Sequence, residues 1–146
     1  MSRLAPEGAV RIRAAVLDAI VLHARAERPR ECCGLLIAAG EEIVEAVATA
    51  NAADDPARRF EIPPVEHIRL MRRCRTLTAD TGLRHEIVGA YHSHPRSAPE
   101  PSPTDIDQAF QDFLYLIAGP ADADVVVTNA FRLTAAGMIP VTMEVC

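Results

Sequence analysis

The segment Tyr91-His92-Ser93-His94-Pro95, followed by Ser102-Pro103-Thr104-Asp105, holds the residue types best suited to chemistry in this chain. Two imidazoles stand two residues apart, a carboxylate lies eleven residues past the second, and a serine falls between, which is a metal-site pattern. The apolar run Ile87-Val88-Gly89-Ala90-Tyr91 leads into the pair and reads as a buried strand. Residues i and i+2 of a strand face the same way, so His92 and His94 would enter one pocket about 6–7 Å apart along the backbone. Ring nitrogens so placed can converge on one ion at about 2.0–2.1 Å each, and a third ligand would leave one position for water.

Each half of this pattern also has a plainer explanation. Ser102 suits a helix N-cap, Pro103 the first helical position and Asp105 the first turn, which is a helix start without any chemistry. Histidines near a strand end often satisfy only local hydrogen bonds. The two explanations of Ser102–Asp105 are compatible, because a capped turn on a proline-stiffened loop is also a good way to deliver a ligand. A hydrolytic site needs a general base as well. Glu31, just before an apolar strand, is a candidate. Glu61, Glu86 and Glu100 are its rivals, and the residues alone do not choose between them.

The elements that would position these groups follow from periodicity and breakers. Val10 to Arg13 alternates as a short first strand, and Ala14 to Glu27 carries a helical stripe at Val16, Leu17, Ile20, Val21 and Ala24, with Pro29 marking its end. Cys32 to Ala38 is a continuous apolar run, expected as a central strand. Gly40-Glu41 turns the chain into Ile43 to Thr49, the second strand of a hairpin. Asn51 to Arg59 is a polar loop, and Phe60-Glu61-Ile62 is expected as a brief strand before Pro63-Pro64. A second helix spans Val65 to Thr78, with one line through Val65, Ile68 and Met71 and another through Leu70, Cys74 and Leu77. Asp80-Thr81-Gly82 turns into the histidine strand. Arg96 to Pro103 is a stiff loop, a third helix begins at Pro103, and Phe113 to Ala118, Asp124 to Leu133 and Ile139 to Val145 are three further strands. No repeat or low-complexity tract interrupts this order. It predicts an α/β (α+β) fold around one sheet.

At 146 residues and 49% hydrophobic content the chain can bury a real core as one domain. All fifteen basic residues are arginine, yet the net charge is −5, which argues against a nucleic-acid partner. No apolar stretch approaches the roughly 20 residues of a membrane span. The N-terminus shows no signal core, so a cytoplasmic protein without a membrane partner is expected. Cys32, Cys33, Cys74 and Cys146 form no CxxC pair and read as reduced thiols. His23 and His67 lie on expected helices and read as surface or interface residues.

Taken together, Glu31-Cys32-Cys33-Gly34-Leu35-Leu36, Tyr91-His92-Ser93-His94-Pro95 and Ser102-Pro103-Thr104-Asp105 resemble the JAMM (MPN+) zinc metallopeptidase family of the compact bacterial type. The family pattern is a glutamate before a CGLL-like strand, then HSHP or HTHP, then SxxD after seven residues counted from the second histidine. The spacing here fits without a gap. The resemblance runs from about Val10 to the end and implies a single MPN-like domain over residues 1–146, a mixed β-sheet flanked by helices.

The resemblance further implies that His92, His94 and Asp105 hold one Zn2+ per chain. Glu31 would be the general acid/base acting on the attacking water, and Ser102 would stabilise the developing oxyanion. Ser93 would point away from the ligands and do no chemistry. Cys33 matches the family's core cysteine, and Cys32 reads as packing. Members cleave isopeptide or peptide bonds at the C-terminus of ubiquitin-like proteins. With only 41 residues after Asp105, this chain looks like the small bacterial members, associated with β-grasp sulfur-carrier proteins. The implied reaction is zinc-dependent hydrolysis after the Gly-Gly tail of a ubiquitin-like or sulfur-carrier protein, and a homodimer is compatible with it. The competing reading is a non-catalytic MPN-type scaffold, whose members lack one or more of these ligands. A zinc deaminase would need HxE with PCxxC, and a zincin HExxH. Neither motif occurs in this chain.

Overall fold

A computed structural model describes residues 8–146. The first seven residues, on which the missing signal core partly rests, lie outside the described residues. In chain order the elements are β1 (Val10–Ile12), α1 (Ala14–Glu27), β2 (Cys33–Ala39), β3 (Glu42–Thr49), α2 (Pro64–Thr81) and β4 (His85–Ser93). There follow α3 (Pro103–Gln108), β5 (Leu114–Gly119), β6 (Val127–Thr134), β7 (Gly137–Val141) and β8 (Met143–Val145). The described strands form one mixed sheet in the order β7-β6-β5-β4-β2-β3-β1-β8. β4 is its centre, antiparallel to β2 and parallel to β5.

The central strands are buried on both faces, which is why Cys33–Ala38 and Leu114–Ala118 read as unbroken apolar runs rather than alternating ones. One face packs Leu36, Ala38, Tyr91, Leu114, Leu116 and Ala118 against the α1 stripe of Val16, Ile20 and Ala24. The other packs Leu35, Ile37, Ala90 and Tyr115 against Leu70 and Cys74 of α2. Full burial of a side chain such as Ile20 or Leu36 stabilises by about 1.5–3 kcal/mol. The two helices therefore clamp the sheet from opposite sides.

Several expectations need correction. Phe60-Glu61-Ile62 is not a strand. Its Phe60 and Glu61 lie in a loop tied down by side-chain hydrogen bonds, so its apolar residues serve a loop and not a sheet. The second helix starts one residue earlier and runs three residues further than expected. Asp80 and Thr81 are helical, and the stop is Gly82 in the left-handed region at φ 72° with its N–H on the Thr78 carbonyl. Its buried line is Leu70 and Cys74, whereas Val65, Ile68 and Met71 are exposed. Strand β6 begins at Val127 rather than Asp124.

The expected last strand Ile139–Val145 is two strands broken at Thr142. They sit at opposite ends of the strand order, with β7 on β6 and β8 on β1. One residue cannot bridge a flat eight-stranded sheet, so the sheet curls until its edges approach each other, where Val10 N donates to the Thr142 carbonyl at 2.8 Å. Alternating polarity through 139–145 hides that break, because both pieces keep the same period.

Gly34, within the Cys-Cys-Gly-Leu-Leu run, is required by close approach. A Cβ there would lie 2.3 Å from Tyr91 Cε1 and 2.4 Å from the Val47 carbonyl oxygen. Gly34→Ala should therefore overpack the β2–β4 contact at a cost of about 1–3 kcal/mol, lowering Tm by several degrees. A thermal melt within 1 °C (roughly the resolution of such a comparison) of the parent would contradict this packing.

Candidate metal centre

β4 presents His92 and His94 as the sequence suggests, and α3 brings Asp105 to meet them. His92 lies opposite Cys33 on β2 and Ile117 on β5, its ring on the face that carries Tyr115 and Ile117. Tyr91 and Ser93 take the opposite face. His92 Nε2 and His94 Nε2 are 3.3 Å apart, and each is 3.1 Å from the same carboxylate oxygen, Asp105 Oδ2. Among the described residues these three form the His/Cys/Asp/Glu group whose ligand atoms converge closely enough to hold a metal ion.

Local hydrogen bonds fix this triangle. α3 begins with a reciprocal cap in which Asp105 N donates to Ser102 Oγ at 3.0 Å and Ser102 N donates to Asp105 Oδ2 at 2.9 Å. The plain capping explanation is thus correct, and it is also what aims the carboxylate. His94 Nδ1 lies 2.7 Å from the Ala98 carbonyl, which makes Nδ1 a protonated nitrogen and leaves Nε2 as the ring atom that faces Asp105 and His92. Ser93 Oγ accepts from Cys32 N at 2.8 Å, so its side chain does point away from the ligands.

The electrostatics suit a bound cation. Two imidazole nitrogens and a carboxylate oxygen face one another in a largely buried space. Burial holds His92 below the usual histidine range, partly opposed by Asp105. Burial also works against charged His94, yet the Asp105 hydrogen bond and charge, with the Ala98 carbonyl, carry it upward. Burial would raise Asp105, but the hydrogen bonds from His92 and His94 hold it well below the carboxylate range. The triangle edges of 3.1–3.3 Å match the ligand–ligand spacing of about 3.3–3.4 Å in a tetrahedral zinc shell of radius 2.0–2.1 Å. The donor set fits zinc.

Glu31 is 4% exposed, and its Oε1 has no hydrogen-bond partner. Burial pushes its carboxyl up to about 8, with His94 opposing and the charges of Asp105 and Asp55 adding. None of the rivals shares this setting: Glu61 and Glu100 are exposed, and Glu86 pairs with Arg84. Cys32 is buried in the core on the α1 side, its thiol pushed up to about 12 by burial, as suits a packing residue. Cys33 sits beside Thr49 at 3.5 Å. Ser102 is half-buried. Its oxygen accepts the cap bond, which leaves the hydroxyl proton free to donate.

Three participants were not singled out by sequence reasoning. Phe60 stacks on the His92 ring with centroids 4.4 Å apart and planes 20° from parallel. Tyr115 and Gln108 join Phe60, His92 and Asp105 around a cavity of about 20 Å³, room for one water. The same Phe60, Gln108 and Tyr115 also line an apolar groove of about 640 Å³ that leads past Ile62 and Ile68 to the exposed Phe110. His67 is a half-buried part of that groove wall. His23, expected at the surface, instead pairs with the buried Tyr91 hydroxyl at 2.8 Å, because α1 lies directly over β4.

Comparison with known proteins is consistent with this arrangement. Over 112 residues the chain is 35% identical to the desampylase of Haloferax volcanii, covering 70% of this chain and 75% of that protein. A 94-residue stretch is 35% identical to tail tip assembly protein K of Escherichia phage N15, covering 64% of this chain and 34% of that protein. A solution structure of a Desulfitobacterium hafniense protein superposes with a TM-score of 0.79 at 23% identity, covering 93% of this chain and 92% of that one. A JAB1/MPN domain protein from Archaeoglobus fulgidus superposes at 0.58 and 18%, covering 94% and 97%. These structural likenesses are of fold. The profile of prokaryotic homologs of the JAB domain matches residues 13–134, and the chain belongs to that family.

Proposed function

We propose that the chain is a zinc-dependent peptidase or isopeptidase that hydrolyses the bond after the C-terminal Gly-Gly tail of a ubiquitin-like or sulfur-carrier protein. The observation that carries this reading is the meeting of His92 Nε2, His94 Nε2 and Asp105 Oδ2 at 3.1–3.3 Å beside a buried, unpartnered Glu31 carboxyl. A non-catalytic scaffold has no use for a buried acid left without a partner, since desolvating it costs stability. The desampylase relative points toward a ubiquitin-like partner. The sulfur-carrier assignment rests on the family resemblance, and the reading carries with it a cytoplasmic location.

Zinc held by His92, His94 and Asp105 would supply Lewis acidity to the scissile carbonyl and to the attacking water. Glu31 takes the proton from that water and delivers it to the leaving amine. The cation held by His92, His94 and Asp105 would favour the ionised form of Glu31 at the outset. Burial, which favours the protonated form, suits the carboxyl to hold that proton between the two steps. The Ser102 hydroxyl donates to the carbonyl oxygen as negative charge develops there. The apolar groove beside Phe60 and Tyr115 receives the extended tail, in which glycines leave the backbone free to approach the walls.

Mixing the zinc-loaded protein with tail-extended ubiquitin-like and sulfur-carrier proteins from the same genome should release the group beyond the diglycine, read by mass spectrometry. Glu31→Gln should keep zinc and lose at least about 100-fold in rate, whereas His92→Ala should lose zinc and cleavage together. Full activity in Glu31→Gln would sink the mechanism.

Glu31 also makes a prediction for the metal-free protein. Its carboxyl keeps a proton to about pH 8 when folded but releases it near 4.5 when unfolded. Its contribution to folding is therefore complete below pH 4.5 and is lost as the pH rises toward 8. Glu31→Gln has no such proton to lose. After chelation its Tm relative to the parent should rise between pH 5 and pH 8 (a window set by the folded and unfolded values). A constant difference between the two would show that Glu31 is not held protonated.

A further inference from the structure

We infer that Asn51 is a positioning residue for the metal centre: one amide fixes both the backbone of Glu31 and the loop that lays Phe60 on His92. This rests on the proposed zinc site, and on the proposed hydrolysis only where turnover is measured.

The starting point is an asymmetry between the two histidines. His94 is oriented by its Nδ1 contact to the Ala98 carbonyl, but His92 Nδ1 is buried with no partner. A ligand imidazole normally has its second nitrogen engaged, and that engagement sets the ring plane. At His92 the flat face of Phe60, 4.4 Å away and 20° from parallel, occupies the position from which the ring could turn. Phe60 thus constrains His92 by stacking, as the Ala98 carbonyl constrains His94 by hydrogen bonding.

Phe60 stands in a polar loop outside any helix or strand, where one backbone bond, from Ala52 N to the Glu61 carbonyl at 2.8 Å, is joined by side-chain bonds. Asn51 supplies those that flank Phe60 directly. Its Nδ2 donates to the Arg59 carbonyl at 3.0 Å, and its Oδ1 accepts from Glu61 N at 3.1 Å, gripping the backbone on both sides of Phe60. The same Nδ2 donates to the Glu31 carbonyl at 3.0 Å, and Oδ1 also accepts from Ala53 N at 3.0 Å. The loop closes on Glu31 a second time, where Glu31 N donates to the Pro56 carbonyl at 2.7 Å. Only an amide offers donors to two carbonyls and an acceptor to two N–H groups from one side chain. Aspartate, of the same shape, lacks the donors.

The test measures zinc affinity by competition with a chromophoric chelator, the visible absorption of the Co2+-loaded protein, and kcat and KM on a tail-extended carrier. Asn51→Ala and Asn51→Asp should both weaken zinc by roughly 10–100-fold and lower kcat with little change in KM, and both should alter the Co2+ bands. Phe60→Tyr keeps a flat ring and should match the parent in zinc affinity and Co2+ spectrum. Phe60→Leu keeps apolar volume without the ring and should follow Asn51→Ala. A role in packing alone would lower Tm but leave affinity and the Co2+ spectrum unchanged, which overturns the inference. If the Asn51 variants do not fold, the Phe60 pair decides: equal affinity and spectra in Tyr and Leu overturn it. Metal effects as expected in a protein that cleaves no carrier would refute the proposed hydrolysis and leave Asn51 in its role. A parent that binds no zinc overturns both.

Discussion

Alternation along β4 is the constraint from which the rest of this structure follows. A strand gives each successive side chain to the opposite face. In β4 that rule sends Tyr91 and Ser93 toward α1 and His92 toward the face covered by α2 and the 50–61 loop. Tyr91 then meets His23 and leaves no room for a Cβ at position 34, while Ser93 takes the Cys32 amide. A one-residue slip would bury two imidazoles against α1 and turn a tyrosine toward Asp105. The register is held by β2 on one side and β5 on the other, β5 buried throughout and β2 buried from Cys33 to Ala38.

Around that strand the molecule accepts unfavourable burial where the proposed chemistry calls for it. Glu31 and His92 are buried side chains with an unpartnered atom apiece, and both belong to the site. Acidic groups away from the site form ion pairs near the surface, as with Glu45 and Arg73 at 2.7 Å or Glu42 and Arg13 at 3.1 Å. The cost is offset by the two apolar layers that α1 and α2 make with the sheet. A doubly covered sheet holds three ligand atoms within a hydrogen-bond length of one another.

The sequence made the site more legible than its surroundings. His92, His94 and Asp105 could be read because strand period and helix capping act over a few residues, and the structure brings those three together. Choosing Glu31 over Glu61, Glu86 and Glu100 needed the family resemblance, because the reason is tertiary: Glu31 alone is buried without a partner near the histidines. Asn51 and Phe60 were illegible for a different cause. Loop conformation here is tied down by one amide reaching four backbone groups, and no periodicity records that. The same limit explains the strand expected at Phe60–Ile62, where apolar residues serve a histidine ring and a groove. The break at Thr142 escaped notice because a curling sheet keeps its alternation on both sides of the break.

The central claim is that His92, His94 and Asp105 hold one zinc ion without help from the nearby thiols of Cys32 and Cys33. Zinc K-edge X-ray absorption on the metal-loaded protein tests it directly. The account predicts one zinc per chain with two imidazole nitrogens and only light-atom neighbours at about 2.0–2.1 Å, and loss of that shell in Asp105→Ala. A sulfur shell near about 2.3 Å, or a protein that retains no stoichiometric zinc, would contradict it.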